Sequence, residues 1–121
     1  MNLMACGRNA LTINQRDIIL IPFPFSDLSA SKVRPALVVS NNRYNGQGHD
    51  VVVLAITSNL SFNPYKVFVN QSDLDAGFIP LKSAIRVDKP FSVLQDKVLK
   101  VLGSVTSKKL DEVTTCFQTL L

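Results

Sequence analysis

The chain has 121 residues, 46% hydrophobic and 18% charged, which describes one folded domain with room for a single core and excludes a disordered chain. No apolar run approaches the roughly 18 residues that a membrane-spanning helix needs. The net charge of +4 at pH 7 favours encounter with a polyanion without establishing one.

Residues 1–15 read as an extension too broken to be a signal peptide, and residues 16–121 as the folded domain. Asp17 to Phe25 (DIILIPFPF) is apolar and β-branched, and its prolines predict a strand that ends near Phe23. Ser26 to Lys32 is a small polar connection, short enough for a hairpin and free enough to act as a lid. Pro35 fixes its own backbone and pushes Arg34 towards an extended conformation. A second strand is therefore expected over Ala36–Ser40, with Lys32 and Arg34 at its mouth.

Asn41 to Asp50 predicts a turn-rich connection centred on Asn45-Gly46. Val51 to Thr57 is apolar throughout and predicts a central strand. Tyr65–Val69 alternates as a half-exposed strand, and Asp73–Pro80 reads as a turn region around Gly77. Ser83–Val87 alternates again, with Ile85 and Val87 on one face and Ala84 and Arg86 on the other. Val98–Val105 is the last strand, in which Gly103 marks a bend or bulge. The period then becomes helical: Leu110, Val113, Phe117 and Leu120 recur on one face, widened by Cys116 and Leu121. Thr106 or Ser107 is available as N-cap, and Asp111 and Glu112 sit early, where negative charge is favoured. The sum is a mainly antiparallel β fold, a small barrel or curled sheet, with one C-terminal helix over an open face or edge.

Several chemistries fall away. A single histidine, His49, in a Gly/Asn-rich loop cannot form a two-histidine acid–base pair within one chain. Zinc needs a Cys/His cluster that the sequence lacks. The carboxylates are scattered, with only Asp73/Asp75 and Asp111/Glu112 close together, so a divalent metal has weak support. Neither a glycine-rich phosphate loop nor a Gly-x-Ser-x-Gly elbow is present, and no cofactor is expected. Cys6 and Cys116, near opposite ends of the chain, read as reduced thiols in a cytoplasmic protein.

Arginine, lysine, threonine and serine at strand ends remain, and they suit phosphate chemistry. A guanidinium grips a phosphodiester in bidentate fashion and stabilises the charge of a pentacoordinate transition state. RNA supplies its own nucleophile, the 2′-hydroxyl, so a protein need only orient the phosphate and move protons. Each residue also has a plainer role: Arg34 in a rim salt bridge, Thr57 as a β-branched strand residue, Arg86 on a solvent face. Taken alone, these residues describe a basic small β domain for which RNA binding stays open.

Asp17 to Leu28 (DIILIPFPFSDL), Lys32 to Ser40 (KVRPALVVS) and Ala55 to Ser58 (AITS), in this order and separation, resemble the MazF/PemK family, toxins of type II toxin–antitoxin systems. The likeness continues through Gly77, Ser83–Asp88 and Val101–Val105 into the final helix. It implies an SH3-like β-barrel with a C-terminal helix, a homodimer in the cytoplasm, and a cognate antitoxin as partner. The implied activity is metal-independent cleavage of single-stranded RNA at short sequences, leaving a 2′,3′-cyclic phosphate and a 5′-hydroxyl. Carried over residue by residue, Arg34 stabilises the phosphorane and takes part in proton transfer, and Thr57 contacts the scissile phosphate. Lys32, Ser58 and Arg86 are implied substrate contacts, and the Ser26–Val33 loop a gate.

The chain departs from the family in two places. Arg16-Asp17 stands where a Gly-Asp usually opens the first strand, and Asp88-Lys89 followed by Pro90 replaces a common acidic-Gln pair. Two alternatives stay open: a toxin of the same fold that binds DNA gyrase without cutting RNA, and a non-catalytic RNA-binding barrel.

Overall fold

The computed structural model describes residues 12–23 and 32–121. Among them, seven strands form one antiparallel sheet: β1 (Asp17–Phe23), β2 (Lys32–Val38), β3 (Asp50–Thr57), β4 (Lys66–Val69), β5 (Leu74–Gly77), β6 (Ser83–Leu94) and β7 (Lys100–Val105). Two α-helices accompany it, α1 (Asn42–Gln47) and α2 (Ser107–Leu120). The order β4-β6-β3-β2-β1-β7-β5 puts the apolar β1, β2 and β3 inside and the short β4 and β5 at the edges, where exposed backbone is least costly. The sheet curls into a half-barrel. The fold class expected from sequence is the one observed.

Side chains alternate across a strand, so the interior strands feed two cores. Ile18, Leu37, Leu54 and Ile56 point to one face, where they meet Val69, Ile85 and, from α2, Val113. Ile19, Ile21, Ala36, Val38, Val51 and Val53 point to the other, joined by Ile13 and Val98. Burial on both faces is why these strands are continuous apolar runs. Each fully buried Val, Leu or Ile contributes about 1.5–3 kcal/mol.

β6 serves both cores by changing phase. Ile85 and Val87 belong to the first core, whereas Phe91 and Val93 pack against the second, although all four are odd-numbered. The register explains this: Ile56 pairs with Ile85 but Leu54 with Pro90, so residues 86–89 face Ala55 alone. An odd slip moves the side chains to the opposite face. Strand alternation in the sequence followed β6 only as far as this bulge.

Other elements differ from expectation for identifiable reasons. β2 begins at Lys32 rather than Ala36, because Lys32–Pro35 pair with β1 (Phe23↔Lys32, Ile21↔Arg34), and it ends at Val38. The segment read as a turn around Asn45-Gly46 is the helix α1, capped by the Asn41 side chain, which accepts the Tyr44 N–H at 2.8 Å. Its Asn45 is buried and bonds Ser40 through both side-chain ends, so an apparent turn residue is here a core polar link. Part of the expected turn at Asp73–Pro80 is β5, which pairs with β7. Where they meet, Gly77 has φ +83, and a Cβ on it would lie 2.1 Å from the Leu102 carbonyl oxygen; one on Gly103 would lie 2.3 Å from that of Ala76. The two backbones touch, and only glycine fits. The bulge expected at Gly103 is present as a register slip between β7 and β1.

α2 starts at the expected cap, Thr106, whose hydroxyl accepts the Lys109 N–H at 3.0 Å. Its buried stripe is narrower than predicted. Val113 is buried and Leu110, Cys116 and Phe117 are half-buried, but Leu120 and Leu121 are exposed. Lys109 takes the place one turn before Val113, buried, with its ammonium on Phe68 O (3.0 Å) and Glu112 (2.8 Å). That ammonium ties the helix to edge strand β4, a role that hydrophobic periodicity does not register.

The turn into β1 answers the first family departure. Arg16 has φ +82, a left-handed conformation that costs a residue with a Cβ about 1 kcal/mol. Its guanidinium offsets that cost by bonding Asp75 and Val105 O, both at 2.7 Å. Asp17, buried beside it, accepts the Asn14 N–H at 2.8 Å, and burial raises its carboxyl above the ordinary 3.8. Thermal melts should therefore order as wild type above Arg16→Gly above Arg16→Ala. Glycine loses the two bonds but relieves the backbone, whereas alanine loses the bonds and keeps the strain, about 1 kcal/mol further down. Equal stability of the two variants would refute the strain.

Candidate active site

The ladder between β2 and β3 runs through Val38↔Val53, Leu37↔Leu54 and Ala36↔Ala55 and stops there. The next β2 residue is Pro35, which has no N–H to give. Beyond it β2 pairs only with β1, and β3 continues to Thr57 paired with Ala84 of β6. The two strands thus part while each keeps its outer neighbour, and the sheet opens between them. Carried two residues further, the same register sets Arg34 across from Thr57. Alternation places both side chains on the face of Ala36, Val38 and Val53, at the rim of the second core.

Two cavities open at this point, and Arg34, Ile56 and Thr57 line both. One, of about 280 Å³, lies on the second-core face and adds Phe23, Arg86 and Lys89. The other, of about 210 Å³, is walled by apolar side chains such as Val33, Ile79 and Leu81, with the hydroxyl-bearing Ser58 and Ser83. One side of the opening is therefore basic and the other apolar.

Arg34 is half-buried, and its Nε is shielded from solvent, so its field is weakened less than that of a surface cation. The Thr57 hydroxyl oxygen accepts the Asn59 N–H at 3.1 Å, which leaves its own proton to donate elsewhere. Arg86 reaches the basic cavity from the β6 bulge, held by Asp88 in a two-pronged bond, Nε–Oδ1 and Nη2–Oδ2 both at 3.0 Å. That shared bond is the main reason the Asp88 carboxyl lies below, and the Arg86 guanidinium above, its ordinary value.

Of the five candidates from sequence, the structure brings Arg34, Thr57 and Arg86 together around the basic cavity. Ser58 joins Arg34 and Thr57 at the apolar one. Lys32 is exposed on the same strand face two residues before Arg34 and lines neither cavity. Residues 24–31, which hold most of the expected gate over Ser26–Val33, and Cys6 in the tail lie outside the described residues.

Sequence reasoning missed Lys89 and Phe23. Phe23 meets Phe91 edge-to-face at 5.2 Å and walls the cavity. Lys89 is placed there by the bulge, for which periodicity has no signal. His49 is exposed on the turn into β3. The Cys116 thiol is pushed up by burial and by the nearby Glu112 and Asp88 carboxylates, which keeps it protonated. Among the described residues, no three His, Cys, Asp or Glu side chains gather as a metal site would require.

Residues 14–121 match the model of a family described as PemK-like, MazF-like toxins of type II toxin–antitoxin systems. Among solved structures, the chain is similar to an endoribonuclease in complex with its cognate antitoxin from a mycobacterial species: 25% identity, TM-score 0.71, covering 88% of this chain and 92% of that one. It shares the fold of a MazE–MazF complex from Deinococcus radiodurans at 20% identity, with TM-score 0.75 over 91% of this chain and 96% of that one. No curated protein sequence matches it.

The Arg86–Asp88 bond has a pH signature. Asp88 is depressed in the folded state, so the unfolded chain binds the extra proton, and the stability it confers is complete above its ordinary 3.8 and lost as pH falls through the lower folded value. The stability gap between wild type and Asp88→Asn should be constant at neutral pH and shrink as pH falls from 3.8 towards the lower folded value. Denaturant melts across the acid range measure it, and a gap that widens with acid would contradict the assignment.

Proposed function

Because the chain belongs to the PemK-like, MazF-like toxins of type II toxin–antitoxin systems, we propose that it is an endoribonuclease that cuts single-stranded RNA at short sequences without a metal ion. The observation that carries this proposal is the opening beside Pro35, where Arg34 and Thr57 line the same two cavities. The 2′-hydroxyl of the nucleotide before the cut attacks the adjacent phosphorus. Its proton passes to solvent water, the bond to the 5′-oxygen breaks, and that oxygen takes up a proton from water, giving a 2′,3′-cyclic phosphate and a 5′-hydroxyl. No water is consumed, and the nucleophile comes with the substrate.

Arg34 faces the charge that builds on the phosphorane. A guanidinium presents paired N–H donors to two phosphoryl oxygens and stays protonated throughout, so it acts as electrostatic stabiliser and hydrogen-bond donor rather than as acid or base. Thr57, with its oxygen already engaged by Asn59, donates its proton to the scissile phosphate. Arg86 contacts the flanking backbone, and Ser58 lies on the apolar side, where an unstacked base finds matching walls. Lys32 adds long-range attraction from the exposed start of β2.

An RNA digest in excess EDTA should yield fragments with 5′-hydroxyl ends at a recurring short sequence. Arg34→Ala should lose about 10²–10³-fold or more in rate while keeping the wild-type melting profile. A requirement for added metal would overturn the mechanism. RNA left intact alongside gyrase inhibition would transfer the proposal to the gyrase-binding alternative.

The same opening accounts for an antitoxin partner. Basic and apolar cavities side by side suit an acidic, disordered segment with apolar anchors that folds as it binds, and such a segment would block Arg34. A cognate antitoxin should inhibit cleavage competitively with RNA and slow hydrogen exchange at the backbone amides of Val33, Arg34 and Ala36. Tight inhibition without protection there would place the antitoxin elsewhere.

A further inference from the structure

The bulge residues 86–89 carry more than one substrate contact. Four residues opposite the single Ala55 interrupt the pairing of β6 with β3 while Arg86 stays paired with Lys66 of β4, and both Arg86 and Lys89 line the basic cavity next to Arg34 and Thr57. Asp88 takes the Nε and Nη2 edge of the Arg86 guanidinium. The opposite edge, Nη1 with the remaining hydrogen of Nη2, is itself a complete two-donor fork. A carboxylate on one edge fixes the plane of the other, so the side chain need not give up rotamer freedom when an anion arrives.

Lys89 is exposed and stands beside Asp88 in sequence. The three residues lack the look of a resting surface ion pair. An Arg–Asp pair alone would cancel its charge, but here a further cation is added to the same cavity.

We propose that Arg86, oriented by Asp88, and Lys89 form a second phosphate subsite that holds the RNA backbone next to the scissile phosphodiester. The inference rests on the nuclease function proposed above. Asp88 is a positioning residue in this arrangement, Arg86 and Lys89 are binding residues, and none takes part in bond breaking. The subsite makes Asp88 attractive for RNA despite its negative charge, because its value lies in aiming Arg86.

The sign of one mutation separates this from simple charge balance. The probe is a fluorescein-labelled single-stranded DNA oligonucleotide, which has the phosphates but lacks the 2′-hydroxyl and stays uncut. Binding is followed by anisotropy between about 50 and 200 mM salt, where each phosphate contact on a single strand contributes about 0.7 to the slope of log K against log salt. Lys89→Ala should lower that slope by about 0.7 and weaken binding several-fold at every salt concentration. Asp88→Asn adds a positive charge to the protein, so charge balance alone predicts tighter binding; a positioning role predicts weaker binding. Arg86→Lys should bind no better than Asp88→Asn, since an ammonium cannot replace the fork.

In RNA digests the same variants should raise KM by a larger factor than they lower kcat. Lys89 is exposed, so its variant tests the subsite even if Asp88→Asn proves unstable. Tighter binding by Asp88→Asn, a wild-type salt slope for Lys89→Ala, or failure of the wild-type protein to bind the oligonucleotide at the lowest salt would each overturn the subsite. A protein that cuts RNA while Lys89→Ala keeps its slope and KM loses the subsite alone. A protein that shows these slopes yet leaves RNA intact keeps a phosphate site and loses the nuclease.

Discussion

The end of the β2–β3 ladder is the constraint on which the rest of the molecule turns. A sheet interior normally keeps every N–H and C=O paired, and a proline breaks that rule at the place where it sits. Pro35 lies in an inner strand, and the ladder on its β3 side stops at the next residue, Ala36. What would be a defect in a purely structural sheet is tolerated because each strand keeps its other neighbour: β2 holds β1, and β3 holds β6. Each side of the opening is therefore held by a paired neighbour, and side chains on paired strands are positioned more closely than side chains on loops. Both core faces continue beneath it, so the cavities have firm floors.

The bulge in β6 is the second half of the same design. Without an odd slip, Phe91 and Val93 would face the α2 side and leave the second core short of packing, while the residues before them would keep their pairing with β3. With it, the strand supplies Ile85 and Val87 to one core and Phe91 and Val93 to the other. The residues spent on the change of face, Arg86 to Lys89, are charged where they meet the opening. One irregularity thus completes the packing and furnishes the site. The left-handed Arg16 does comparable work at the other side of the sheet, where its ties to Asp75 and Val105 fasten β1 to the β5–β7 edge.

How much of this was legible in the sequence follows from what each signal reports. Two-sided burial leaves continuous β-branched runs, so β1 and β3 were readable almost to the residue, and the Thr106 cap marked the start of α2. Periodicity reports burial and not pairing, which is why the first four residues of β2 were missed: Lys32–Pro35 are paired to β1 but largely uncovered. Asn-Gly reads as a turn because both residues tolerate left-handed backbone, yet the buried side-chain bonds of Asn45 to Ser40 won over that local preference. Arg34 and Thr57 were picked out by resemblance, and the structure adds a reason of its own, their shared place beyond the last β2–β3 pair. Lys89 had no such sign, because the slip that aims it is a property of two strands together.

Electrostatics also separates the cations gathered around this opening. Two unit charges 4 Å apart attract by about 1 kcal/mol in bulk water and by about 4 kcal/mol at the effective dielectric of a partly buried site. Lys32 is exposed and belongs to the first regime, where salt also screens it; in the proposed nuclease it would speed encounter but add little once RNA is bound. Arg86 is less exposed but already shares its charge with Asp88, so its remaining attraction is directional rather than strong. Arg34 is half-buried with its Nε away from solvent, so water weakens its field at the cavity less than that of Lys32. A charge that appears only in the transition state gains most from a cation of that kind, because the group is already in place and the surrounding dipoles need not reorganise. In the proposed nuclease, steering by Lys32, aiming by Asp88 and stabilisation by Arg34 would be different uses of charge, separated by how much water each one meets.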